Sequence, residues 1–104
     1  MELPFSEYWS LVEEYRDLVG TRLPARAAQQ GWSRTVPGDL GRILLDHAVG
    51  GDARARSGRA STALHLQLTH DELRAAIALA RRLESEGDPL LRVLDQGSRS
   101  WRRG

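Results

Sequence analysis

Apolar residues recur at three- and four-residue intervals along most of this chain, and at two-residue intervals over one short stretch. In the first half Tyr8, Leu11, Val12, Tyr15 and Val19 form one stripe, widened by Phe5 and Trp9. That stripe predicts an amphipathic helix, with Ser6 as its N-cap and Gly20 just past its end. A second short helix is predicted over Pro24 to Gln30. It opens on a proline, whose missing N–H costs nothing there, and stops at Gly31. A third is predicted over Asp39 to Ala48, with Leu40, Ile43, Leu44 and His47 on one side. The segment GGDARARSGRAS, from Gly50 to Ser61, shows no periodicity and reads as a flexible basic linker or arm.

The period then becomes two. Leu64, Leu66 and Leu68 alternate with His65 and Gln67, the pattern of a strand with one buried face. At Thr69 the pattern switches again. Thr69 and Glu72 make a T-x-x-E capping box, and Leu73, Ile77, Ala80 and Leu83 follow at helical spacing. Gly87-Asp88-Pro89 is a strong break, with glycine to end one helix and aspartate and proline to start the next. Leu90, Leu91, Val93 and Leu94 make that last helix apolar, and Gly97 and Ser98 are expected to fray or end it. There is no internal repeat. Residues 1–49 read as a helical N-terminal region, 50–61 as the linker, and 62–104 as a strand-helix-helix region.

Composition removes several possibilities. The chain has 104 residues and no cysteine, which excludes disulfides and thiolate metal sites. The N-terminus has no basic-then-apolar leader pattern and no apolar run nears membrane-spanning length, so a cytoplasmic protein with no membrane contact is expected. All fifteen basic residues are arginine, a bias that a GC-rich genome explains without reference to nucleic acid. Their placement says more than their number. Residues 1–52 hold five arginines against eight acids, whereas residues 53–104 hold ten against six. The excess lies at Arg54, Arg56 and Arg59 and again at Arg99, Arg102 and Arg103, which suggests a second half that faces a polyanion.

Candidate chemistry is sparse. The imidazoles are His47, His65 and His70. His65 and His70 near Asp71 and Glu72 match no metal-ligand spacing, and an acid in a helix first turn is explained by the helix dipole. No glycine-rich phosphate cradle or nucleophile elbow is present, so no enzyme, cofactor or metal is expected. Ala27, Gly31 and Leu40 fall at helix-turn-helix positions. Pro37 and Gly38, however, stand where a recognition helix would run, so this stretch reads as a plain helix–loop–helix.

The alternation from Leu64 to Leu68, the Thr69/Glu72 box, Leu73, Ile77, Ala80, Leu83 and the break before Leu90 together resemble the ribbon-helix-helix family of DNA-binding proteins. The similarity covers about the last 43 residues. It implies a mainly α fold with one short strand, in which two chains pair their strands antiparallel and insert the ribbon into the major groove. A lone strand supports the homodimer independently, since its leucines and its backbone N–H and C=O groups both need a partner. By this resemblance Ala63, His65 and Gln67 are the outward, base-facing positions, and the flexible arm bearing Arg54, Arg56 and Arg59 is expected to track the phosphate backbone. The acidic run from Glu84 to Asp88 is longer than the usual connection in that family.

The expected function is therefore a sequence-specific, DNA-binding dimeric regulator: a small repressor, an antitoxin-like protein or a mobile-element accessory protein. The alternative is a helical protein-interaction or assembly subunit, or an inhibitor, without nucleic-acid contact. It is motivated by the aromatic first helix, through which a protein partner would dock.

Overall fold

A computed structural model describes residues 4–51 and 68–103. Helix α1 (Pro4–Asp17) passes through a π-helical turn (Leu18–Arg22) directly into α2 (Leu23–Gln30). A loop leads to α3 (Pro37–Val49), and α4 (His70–Glu86) and α5 (Asp88–Arg103) complete the described structure.

The described residues contain no strand, which corrects the expected ribbon-helix-helix pairing to an all-helical fold. Residues 64–67 of the anticipated strand lie outside the described residues. Leu68, its last leucine, sits in a bend and packs half-buried against the helical core, and its carbonyl accepts the Tyr8 hydroxyl at 3.3 Å. The chain's own helices thus cover the one leucine of the alternation that is described, and burying it needs no second strand.

Helix α1 begins at Pro4 rather than after Ser6, and it does not stop at Gly20. The cause of the π turn is Pro24. In an α-turn its ring would press on the carbonyl of Gly20, four residues back, and it has no N–H to offer. The turn instead widens so that the Leu23 N–H bonds the Leu18 carbonyl, five residues back. Helix α2 then ends as expected on Gly31, whose φ of 66° lies in the left-handed region that favours glycine. Pro37, which argues against a recognition helix, is the first residue of α3.

The core is shared by both halves of the chain. Val12, Tyr15, Leu18 and Leu23 meet Leu40, Ile43 and Leu44 of α3, Leu73, Ile77, Ala80 and Leu83 of α4, and Leu91 and Leu94 of α5. Helix α4 lies against both α1 and α3, and α5 lies against α3. The capping box is fully formed. The Thr69 hydroxyl accepts the Glu72 N–H at 3.1 Å, and the Glu72 carboxylate accepts the Thr69 N–H at 3.0 Å. Ion pairs Arg74–Glu7 and Arg81–Glu14 join α4 to α1, and Arg22 grips Glu84 through two bonds of 3.0 and 2.6 Å. Such exposed pairs contribute about 0–1 kcal/mol each, so apolar burial holds the bundle and the pairs fix its register.

Two expectations about the last helices are also corrected. The connection is not a five-residue acidic loop. Helix α4 runs to Glu86, and Gly87 alone separates it from α5. Nor does Gly97 end α5, which continues to Arg103, because Gly97 and Ser98 are contact residues. The His47 imidazole lies on α5 at Gly97, donates its Nε2–H to the Leu94 carbonyl at 2.8 Å, and meets the Trp101 ring edge-on at 4.8 Å. Beside it the buried Ser98 hydroxyl donates to the buried Asp46 carboxylate, which Arg42 approaches at 4.0 Å.

A Cβ at Gly97 would stand 3.0 Å from His47 Cε1 and 3.2 Å from Nε2. Gly97→Ala gains roughly 1 kcal/mol of helix propensity but requires the imidazole, held by the Leu94 carbonyl and the Trp101 ring, to give way slightly, an overpacking cost of about 1–3 kcal/mol. Net destabilisation is expected in chemical denaturation. In a His47→Ala background the same change should turn neutral or stabilising. If the sign stays the same in both backgrounds, this contact does not set the α3–α5 spacing.

Candidate anion-facing cleft

Helix α5 is strongly two-sided. Leu91, Leu94 and Ser98 are buried, whereas Arg92, Gln96 and Arg99 follow one another at spacings of four and three on the outer side. At its start Asp88 receives the backbone N–H of Ser33 at 2.7 Å and the Ser33 hydroxyl at 2.8 Å, and Arg92 donates to it at 2.7 Å. These bonds tie the loop after Gly31 to the first turn of α5. Buried Trp32 anchors the same loop from below, its Nε1–H donating to Gln30 at 3.1 Å. Arg34, which follows Ser33, is thereby carried over the outer face of α5.

The result is a cleft of about 840 Å³ lined by Ser33, Arg34, Arg92, Asp95, Gln96, Arg99 and Ser100. Arg34 and Arg99 reach the same oxygen of Asp95, at 3.3 and 3.1 Å. The charges are layered. The side chains of Arg34, Arg92 and Arg99 are 33%, 72% and 51% exposed, whereas Asp95 and Asp88 are only 14% and 19% exposed. The carboxylates lie behind the guanidiniums. They hold them in place, and solvent meets mainly positive groups and the neutral donors Gln96, Ser33 and Ser100.

The expected DNA-contacting residues, Ala63, His65, Gln67, Arg54, Arg56 and Arg59, all lie outside the described residues. Of the C-terminal arginines, Arg99 lines the cleft and α5 continues through Arg102 and Arg103. Arg34 and Arg92 were not anticipated. Arg92 is legible afterwards in the spacing of Arg92, Gln96 and Arg99. Arg34 carries no sequence signal, because only the folded loop brings it to α5. The remaining histidines serve packing: His47 seats α5, and His70 opens α4 against the ring of Tyr8 at 5.3 Å. Among the described residues no group of three metal-ligating side chains occurs, and no helix is long and apolar enough to cross a membrane. Comparison with protein-family models, curated proteins and solved structures returns no match.

The hydrogen bond from the Ser33 backbone holds the Asp88 carboxyl below its ordinary value of 3.8, with the Ser33 hydroxyl and Arg92 acting in the same direction against the opposing effect of burial. A depressed native pKa stabilises the contact above the unfolded value and loses that stabilisation as pH falls through the native one. The Ser33 amide resonance should therefore move in a single step centred below the ordinary value of 3.8 as pH falls. In Asp88→Asn that step should vanish. A shift centred above 3.8 would show that Asp88 is not the clamp.

Proposed function

We propose that this protein is a helical nucleic-acid-binding module that meets the phosphate backbone with the outer face of α5 and the loop bearing Arg34. The observation that carries this reading is the layering of guanidiniums outside carboxylates at Arg34, Arg92, Arg99, Asp95 and Asp88. Guanidinium is well suited to phosphate because its planar fork can donate two parallel hydrogen bonds, and side chains already fixed by a carboxylate lose less freedom on binding. Contacts of this kind position a protein on nucleic acid without reading its sequence. The regulatory role expected from the sequence is retained only in this reduced form, as phosphate-directed binding of DNA without the ribbon.

A second reading, docking of a protein partner on the N-terminal helical half, is favoured by Trp9, which is 37% exposed on α1. Loss of a co-purifying partner on Trp9→Ala, with the fold retained, would support it.

Duplex DNA should shift in a gel-retardation assay at low salt, and log K should fall with log salt at a slope of about −2 to −3, roughly one unit per arginine–phosphate contact. Arg92→Gln with Arg99→Gln should flatten that slope by about two. No shift at low salt, where phosphate contacts are strongest, would end the nucleic-acid reading.

A further inference from the structure

We infer that the cleft between the Ser33–Arg34 loop and α5 is a discrete seat for a single phosphate group, assembled from parts of the chain far apart in sequence. This goes beyond backbone tracking by an arginine-bearing helix, and it holds whether the phosphate belongs to nucleic acid or to a small phosphorylated molecule. It rests on three features of the site. First, Arg34 and Arg99 converge on one oxygen of Asp95, which gathers both guanidiniums at one wall of the cleft. Second, Arg92 borders the same space, fixed by Asp88, and Gln96 and Ser100 add neutral donors for the remaining oxygens. Third, the volume of about 840 Å³ is ample for a phosphate with its substituent, whereas a flat basic helix face would enclose nothing.

The three guanidiniums stand against two carboxylates, Asp95 in the lining and Asp88 behind Arg92, which leaves a net charge of +1. An incoming phosphate therefore replaces solvent at a surface of net positive charge and keeps the Asp95 contacts that orient the two forks. Asp95 acts here as a positioning residue, not a ligand. Its carboxylate accepts from the arginines and would repel a phosphate oxygen placed directly on it.

The test uses the full chain with inorganic phosphate as probe, followed by titration calorimetry and by the arginine Nε–H resonances. Binding in about the millimolar range is expected. It should be weakened about tenfold by Arg34→Gln or Arg99→Gln and left unchanged by Arg82→Gln, whose partner Glu86 lies on the same helix. The Nε–H signals of Arg34 and Arg99 should move together, which a diffuse counter-ion effect would not produce. Duplex DNA then separates the sources. If phosphate displaces DNA and Arg34→Gln weakens both, the seat holds a backbone phosphate. If phosphate binds while DNA does not, the seat serves a free phosphorylated molecule and the nucleic-acid reading alone is lost. The inference is overturned if the native chain takes no phosphate, or if Arg34→Gln and Arg99→Gln bind it as well as Arg82→Gln does. DNA binding that is indifferent to Arg34 would likewise remove the cleft from that activity.

Discussion

Gly87 governs where everything in the C-terminal half can go. Its φ of 78° and ψ of −156° belong to a region that residues with a Cβ essentially avoid. The Gly87 N–H closes α4 onto the Leu83 carbonyl at 2.8 Å, while the Gly87 carbonyl accepts from Leu90 and Leu91 at 3.1 and 3.2 Å. One residue thus ends one helix and begins the next. With no slack in the connection, the direction of α5 is set by α4, and the phase of α5 decides which residues face α3. Leu91, Leu94 and Ser98 turn inward, and Arg92, Gln96 and Arg99 have only the outside left.

Contacts in this small bundle divide by what they supply. Apolar burial provides most of the free energy, at about 25 cal/mol per Å² removed from water. It is indifferent to small slips of one helix along another. The polar contacts at Asp46–Ser98 and His47–Leu94 are different, because a buried hydroxyl or carboxylate left without its partner is expensive. They admit one register of α5 against α3. Gly97 takes part by subtraction, since its missing Cβ leaves room for the imidazole. The register fixed on the inner side also fixes where the outer guanidiniums stand relative to the loop after Gly31.

Local chemistry was legible in the sequence, and long-range placement was not. The Thr69/Glu72 box, the stop at Gly31, the helix over 24–30 and the break at Gly87 all depend on residues within one or two turns of each other, and the structure has each of them. The alternation from Leu64 to Leu68 reads as a strand, yet Leu68, its one described leucine, lies in a bend against the helical core. A period-two pattern this brief does not distinguish a strand from a segment that lays one leucine on a nearby core. Gly20 and Gly97 misled for a related reason. Glycine usually marks a helix end, whereas Gly20 lies within a π turn and Gly97 serves a close approach inside a helix. Of the cleft, the sequence reading reaches only Arg99, by its charge, and the spacing of Arg92 is informative only once the helix is known. Nothing near Arg34 shows that it will face Asp95, 61 residues later.

The π turn before Pro24 has a consequence for how this sequence can vary. A π turn holds one residue more than an α turn, so it shifts the rotational phase of everything after it by about 100°. Leu23 and Ala27 reach the core in the shifted phase, behind Leu18 and Val19 in the original one. The N-terminal helix therefore has two reading frames joined at Gly20. Substitutions on either side are constrained separately, but the loss or gain of one residue at the joint would move α2 as a block, and with it Gly31 and the loop that presents Arg34.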